Sequence, residues 1–194
     1  MQLDMFSDPG VFNGTPSLTL LEDMSPEYKP RTLKNAREAD VTVAFAVDFA
    51  TAGERLTHRA AGPRYVGIPY GRPVREAATQ LEAFLKQKQA RSLNVAGNGI
   101  YTLNLRRVSQ REANQWVYDV LKLATSAVGL RAIRSGGQTG IDTAGLVAAL
   151  ALGIPATGLY PKGFKTRGLD MRDVSNEATT LELMLHSYAA ELFQ

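Results

Sequence analysis

Ile133-Arg-Ser-Gly-Gly-Gln-Thr-Gly-Ile-Asp142 is the stretch on which the reading of this 194-residue chain turns. A short apolar run, Leu130 to Arg134, leads into Gly136, Gly137 and Gly140, then into small and apolar residues from Thr139 to Leu152 that Gly153 closes. That order predicts strand, glycine turn, helix. Glycines lack Cβ atoms, so such a turn takes positive φ and lets an anion come close to the unpaired N–H groups of the helix's first turn. The expectation is a phosphate seat for a nucleotide or another phosphorylated small molecule, with Gln138, Thr139 and Asp142 adding polar side chains. The pattern is neither Gly-x-Gly-x-x-Gly nor Gly-x-x-x-x-Gly-Lys-Ser/Thr, and a plain tight turn that packs a helix onto a strand uses glycine in the same way.

Outward from this block the chain alternates. Val41–Val47, Arg64–Ile68, Ser92–Ala96 and Pro155–Leu159 are short apolar runs bounded by turn residues, as buried parallel strands are. Between them Gly53–Ala61, Val74–Ala90 and Gln110–Ala124 have helical length or spacing, and Asn176–Leu192 ends the chain as an amphipathic helix. Strands alternating with helices predict an α/β, Rossmann-like, doubly wound and mainly parallel sheet with helices on both faces. Ligands on such sheets bind beyond the carboxyl ends of the strands, where the loops 47–54, 97–101 and 135–142 fall. Residues 1–27, with Pro9, Pro16 and Pro26, read as an extended arm, and 28–194 as a single domain.

Composition narrows the function. A formal charge of +3, from 22 basic and 19 acidic residues that interleave along the chain, gives no basic stripe for direct nucleic-acid binding. The absence of cysteine removes disulfides, thiolate metal sites and cysteine nucleophiles, and two distant histidines, His58 and His186, argue against a metal centre. No membrane span or signal peptide is legible, so a cytoplasmic protein is expected.

With the loops placed, three blocks resemble the SLOG superfamily of Rossmann-like proteins, which includes the LOG nucleotide phosphoribohydrolases. The resemblance is closest to its branch of molybdenum-cofactor carriers. Ser135 to Asp142, continuing to Leu152-Gly153-Ile154-Pro155 and Pro161-Lys162-Gly163, is similar to that branch's opening motif. Tyr28-x-x-Arg31-Thr32-x-x-Asn35 with Asp40 and Thr42 is similar to the second block, and Leu93-Asn94-Val95-Ala96-Gly97 to the third. The Arg-Thr block leads here, so the order is that of a circular permutation, which a sheet tolerates when the old termini lie close together. Where the family carries a Gly-Gly-Thr loop this chain has Thr51-Ala52-Gly53-Glu54-Arg55-Leu56-Thr57, and the Gly-Thr-Glu signature of LOG hydrolases is absent. The resemblance implies a nucleotide-type ligand, a homo-oligomer and, by family label alone, a molybdenum cofactor.

Candidate ligand-binding residues are Gly136, Gly137, Gln138, Thr139, Gly140, Asp142, Arg31, Lys162, Gly53, Gly97 and Asn98. Arg31 suits bidentate phosphate binding and Lys162 adds a point charge, unless both are ordinary solvated cations. Thr32 and Asn35 suit helix capping. Asp142 would grip ribose hydroxyls or act as a base, or else serve the helix dipole. Asp142 and Glu54 are the catalytic candidates if the protein hydrolyses a glycosidic bond, a reaction run by paired carboxylates. Asp48 stands at a strand end, where it contacts ligand or shapes a turn, and Trp116 reads as packing. The readings of the domain are a binding protein that senses, carries or scavenges signalling nucleotides, or an N-glycosidase. Gln2-Leu3-Asp4-Met5-Phe6 resembles sliding-clamp docking peptides, which gives a third reading, an interaction protein.

Overall fold

Strand β2 (Val41–Ala46) shows how the sheet divides its two faces. In this computed structural model, which describes residues 17–194, every residue of β2 is buried. Val41, Val43 and Phe45 alternate with Thr42, Ala44 and Ala46. The register carries that alternation across the sheet. Val43 pairs with Val95 of β4 (Ser92–Gly97), while Thr42 pairs with Asn94, which in turn pairs with Arg134 of β5 (Ala132–Ser135). One face is therefore bulky and apolar, the other small and polar.

The apolar face packs against α3 (Val74–Gln87), α5 (Gln110–Thr125) and α6 (Ile141–Ala151). Phe45 meets the Trp116 ring edge-on at 5.2 Å, and Trp116 donates from Nε1 to the Arg72 carbonyl, so Trp116 is a packing residue. Helix α6 is buried from Ile141 to Leu150, as a helix that is apolar all round after its first turn must be. α7 (Ala178–Glu191) lies over α6 with Leu181 and Leu185 buried, so part of its apolar stripe is spent inside the chain. The polar face receives α1 (Tyr28–Glu38) and α2 (Ala52–Ala61).

The sheet has six parallel strands in the order β1-β6-β5-β4-β2-β3, with β3 at Tyr65–Pro69, β6 at Ala156–Tyr160 and β1 at Leu18–Glu22. The α/β doubly wound arrangement expected from the alternation is present. The chain leaves β2 towards β3 but leaves β4 towards β5, so the strand order reverses between β2 and β4, the position where such sheets open a crevice. Strand β1 corrects one expectation. The prolines of 1–27 predict an extended arm that includes Leu18–Glu22, yet this segment pairs with β6 from Leu18↔Ala156 to Glu22↔Tyr160. The clamp-like Gln2–Phe6 lies outside the described residues. Two further elements come without forewarning: a short helix α4 (Ile100–Asn104) and an antiparallel hairpin of β7 (Thr166–Arg167) and β8 (Asp173–Val174). Among the described residues, no helix is long and apolar enough to cross a membrane.

Gly145 lets α6 sit down on the sheet, since a Cβ there would lie 2.7 Å from Cβ and Cγ1 of Val95. Gly145→Val is expected to cost about 1–3 kcal/mol through overpacking. Urea denaturation measures it, and an unchanged midpoint would show that α6 does not depend on this close approach.

Candidate functional site

At the carboxyl ends of β2, β4 and β5 lies a cleft of about 290 Å³, at the small end of the usual range for ligand pockets. Its wall includes Tyr28, Arg31 and Asn35 of α1, Gly53, Glu54 and Thr57 of α2, Asn94 and Gly97 of β4, Tyr101 of α4, Gly136, Gln138 and Asp142 of the glycine block, and Arg167 of the hairpin. All three loops predicted from sequence thus reach one place. Of the predicted site residues, Arg31, Gly53, Glu54, Gly97, Gly136, Gln138 and Asp142 line the cleft, whereas Gly137, Thr139, Gly140, Asn98 and Lys162 do not.

The glycine block works differently from the expected phosphate seat. Gly137 and Gly140 do take positive φ, 68° and 98°, but the space that the glycines vacate is filled from inside. A Cβ on Gly136 would sit 1.2 Å from Nη1 of Arg31, and one on Gly137 would sit 2.1 Å from the Tyr160 ring. The amides at the start of α6 are also spent. Thr139 N–H donates to its neighbour Gln138 Oε1 (3.0 Å), Gly140 N–H to Gln110 Oε1 (2.6 Å), and Ile141 N–H to the Asn98 carbonyl (3.1 Å). An anion held by these three donors would have to displace protein partners from them. Asn98 is a clamp: its Oδ1 accepts from the N–H groups of Val47 and Asp48, and its Nδ2 returns a bond to the Asp48 carbonyl. Asp48 in turn accepts from Ala50 N–H, which shapes the loop. Lys162 is exposed, and Thr139 donates its hydroxyl to the Arg167 carbonyl, tying the hairpin to the cleft.

What the glycines admit is an ion pair. Arg31 Nη1 donates to Asp142 Oδ2 at 2.8 Å, and both side chains are nearly buried. Burial pushes the Asp142 carboxyl up, against the pull of the Arg31 guanidinium and of a bond from Gln138 N–H. Arg31 also lies over the Tyr28 ring, 5.5 Å from its centroid, and Arg167 lies 4.9 Å from the same ring. Arg167 spends Nε and Nη2 on Asp173, which also accepts from the Tyr28 hydroxyl. Both guanidiniums of the cleft are thus balanced by carboxylates.

Glu54 stands apart, and a comparison within the chain shows how. Thr51-x-x-Glu54 and Ser109-x-x-Glu112 have the same capping-box spacing at the starts of α2 and α5. At α5 the box closes: Ser109 Oγ accepts from Glu112 N–H, and the Glu112 carboxylate accepts from Ser109 N–H at 2.8 Å. At α2 only the first half forms, from Glu54 N–H to Thr51 Oγ1. The Glu54 carboxyl forgoes the return bond and lies buried in the cleft wall, with no protein partner for Oε2. Burial first, then the charges of Asp142 and Asp48, push it up to about 8. It holds its proton at neutral pH.

Five buried side-chain atoms lack a partner among the described residues: Arg31 Nε, Asn35 Nδ2, Glu54 Oε2, Asn94 Oδ1 and Tyr160 Oη. The first four belong to residues of this one cleft. Buried polar groups are normally paired because each orphan costs about 1–3 kcal/mol. Their convergence marks the cleft as built to be completed by something outside the chain. Sequence reasoning assigned Asn35 to capping and gave Asn94, Tyr28, Tyr101 and Arg167 no role. Asn94 was nonetheless detectable, as the polar residue alternating with Leu93 and Val95 in an apolar strand.

Two outcomes follow from this electrostatic arrangement. Arg31→Met leaves Asp142 buried and unpaired, with an expected loss of about 3–5 kcal/mol in denaturant unfolding, most of which Arg31→Met/Asp142→Leu restores. If the double variant is no more stable than the single one, the cost lies elsewhere than in the orphaned charge. For Glu54 the folded protein keeps a proton that the unfolded chain releases above its ordinary 4.5. Its contribution to stability is therefore full below pH 4.5 and declines as pH rises towards about 8. Thermal unfolding of Glu54→Gln should lose that slope, and parallel pH profiles for the two proteins would contradict the burial of an unpaired acid.

Residues 10–121 and 133–175 match the circularly permutated YpsA SLOG family. No curated protein matches the sequence. Among solved structures, one named as a candidate alcohol dehydrogenase from Ralstonia eutropha JMP134 aligns at 13% identity with a TM-score of 0.37. The alignment covers 81% of this chain and 44% of that one, so this chain spans less than half of that protein's length. With matched segments reaching over most of its length, the chain belongs to the circularly permutated YpsA SLOG family.

Proposed function

We propose that this protein binds a nucleotide-derived ligand in the cleft between α1, α2 and the carboxyl ends of β2, β4 and β5, as a sensor, carrier or scavenger of such molecules. The observation that carries this reading is the set of four unpartnered buried groups, Arg31 Nε, Asn35 Nδ2, Glu54 Oε2 and Asn94 Oδ1, in one wall. Two tyrosine rings, Tyr28 and Tyr101, stand at the more exposed side, where a base can stack. Arg167 is there too: Asp173 takes its Nε and Nη2, which leaves Nη1 as the group for a phosphate. Membership of the SLOG family supports a nucleotide over other polar ligands of the same size. A molybdenum cofactor fits less well, because an anionic metal centre would share a small cleft with the Asp142 carboxyl.

Glu54 favours a second reading, hydrolysis of an N-glycosidic bond. A carboxyl that keeps its proton at neutral pH beside a second carboxyl paired with an arginine is the arrangement by which general acids are made. In that reaction the bond between the sugar's C1′ and the base nitrogen breaks, Glu54 gives its proton to the departing base, and a water oxygen joins C1′. The water's proton returns to solvent or to Glu54.

Mass spectrometry of the protein purified under native conditions, followed by incubation with nucleoside monophosphates and dinucleotides, separates the readings. Capture predicts a nucleotide-derived compound recovered unaltered after denaturation. Hydrolysis predicts released base, a rate that falls as pH rises through about 8, and loss of turnover with retained binding in Glu54→Gln. A protein that copurifies with nothing and binds none of these compounds would overturn both.

A further inference from the structure

Resting on the nucleotide reading, we infer that the floor of the cleft recognises the sugar hydroxyls of a ribosyl ligand, and that its phosphate lies on the Arg167 side, away from the glycine block. The inference comes from the hydrogen-bonding character of the orphaned atoms. Arg31 Nε is a donor and nothing else. Asn35 is oriented by chemistry: its Oδ1 accepts from Arg134 Nε at 3.0 Å, and because that nitrogen can only donate, Nδ2 must be the free end. Asn94 is used in the opposite sense. Its Nδ2 faces Thr42 Oγ1 at 3.2 Å, which leaves Oδ1, an acceptor, for the cleft. Glu54 adds a carboxyl that donates or accepts according to its proton.

The floor therefore presents donors and an acceptor side by side. A phosphate dianion accepts only, so it satisfies Arg31 and Asn35 while leaving Asn94 Oδ1 orphaned, and it also faces the Asp142 carboxyl. Each sugar hydroxyl donates once and accepts, so a pair of neighbouring hydroxyls completes a mixed set. The aromatic groups that would stack a base are not on this floor. Asn35, Asn94 and Glu54 are each at least nine-tenths buried, whereas Tyr28, Tyr101 and Arg167 are part-exposed. The floor is also held in place. Thr42, Asn94 and Arg134 form one register row across β2, β4 and β5. Arg134 carries Asn35 at one end and pairs with Glu38 at 2.6 Å, so the asparagines cannot swing to other partners without breaking that row. With the Thr139, Gly140 and Ile141 amides spent on Gln138, Gln110 and Asn98, a phosphate at the start of α6 would have to displace protein partners from these three donors.

The test is calorimetric titration of the full chain with AMP, GMP, CMP, UMP and ADP-ribose, with the 2′-deoxy and 3′-deoxy forms of whichever monophosphate binds, and with inorganic phosphate. The expected result is binding of a ribonucleotide at least about tenfold tighter than that of its deoxy forms, because a missing hydroxyl leaves buried groups unpaired. Asn94→Ala should narrow that preference to within about twofold. If the variant does not fold, the ribo and deoxy comparison on the unaltered protein decides alone. Equal affinity for ribo and deoxy forms would overturn the hydroxyl floor and leave nucleotide binding standing, as would competition by inorganic phosphate that matches the nucleotide's own affinity. Binding of none of the panel would overturn the nucleotide reading itself, and this inference with it.

Discussion

A buried ion pair between residues 111 positions apart holds this site together. Arg31 enters from α1 and Asp142 from the first turn of α6, and the guanidinium passes so close to Gly136 that a Cβ there would displace the pair. Burying two charges is costly, and the pair persists because each satisfies the other and the Gln138 amide adds a further bond to the carboxylate. Its consequences spread outward. Asp142 is one of the charges that keep Glu54 protonated, and Arg31 supplies both a fixed cation and an unpaired Nε to the cleft. Three of the features that give the cleft its chemistry thus follow from one contact.

The glycine block is accordingly a packing device before it is a binding device. Glycine at 136 and 137 gives way to Arg31 and Tyr160, and glycine at 140 brings the turn against the backbone of Asn98 and Gly99. Three of the amide donors one expects at such a turn are consumed on Gln138, on Gln110 of α5 and on the Asn98 carbonyl after β4, while the Thr139 hydroxyl and the Gln138 side chain join the turn to the hairpin. The polar character of the site moves instead to side chains on the small-residue face of the sheet, where Thr42, Ala44, Asn94 and Ala96 leave room that Val43, Phe45 and Val95 on the other face do not.

Much of this was legible in the sequence, and the reasons for what was not are physical. β2, β4 and β6 announce themselves because strands buried on both faces must be short, apolar and bounded by turn residues. The convergence of three loops followed from the rule for parallel sheets without knowledge of strand order. Strand β1 escaped because Leu18–Glu22 is a half-exposed edge strand whose partner lies more than 130 residues away, so neither composition nor a neighbouring turn marks it. The two-residue strands of the hairpin are held by side chains such as Asn176 and Asp173, which leave no periodic trace, so Arg167 could not be placed near the cleft. Glu54 is legible from its place at the mouth of the first predicted strand. Its divergence from Glu112, at identical spacing from a capping hydroxyl, is set by tertiary surroundings that spacing does not encode. Circular permutation fits this pattern, since strand neighbours and loop positions depend on the closed sheet and not on where the chain begins.

The central claim is that a ligand supplies the partners which Asn35 and Asn94 lack. The side-chain amide resonances of these two asparagines in two-dimensional nitrogen–proton NMR spectra test it most directly, with AMP added stepwise to isotope-labelled protein. The account predicts that the Asn35 Nδ2 protons shift downfield on saturation as they gain an acceptor, and that the Asn94 amide moves with the same binding curve. Saturation that moves resonances of the glycine block and leaves both asparagine amides unchanged would contradict it.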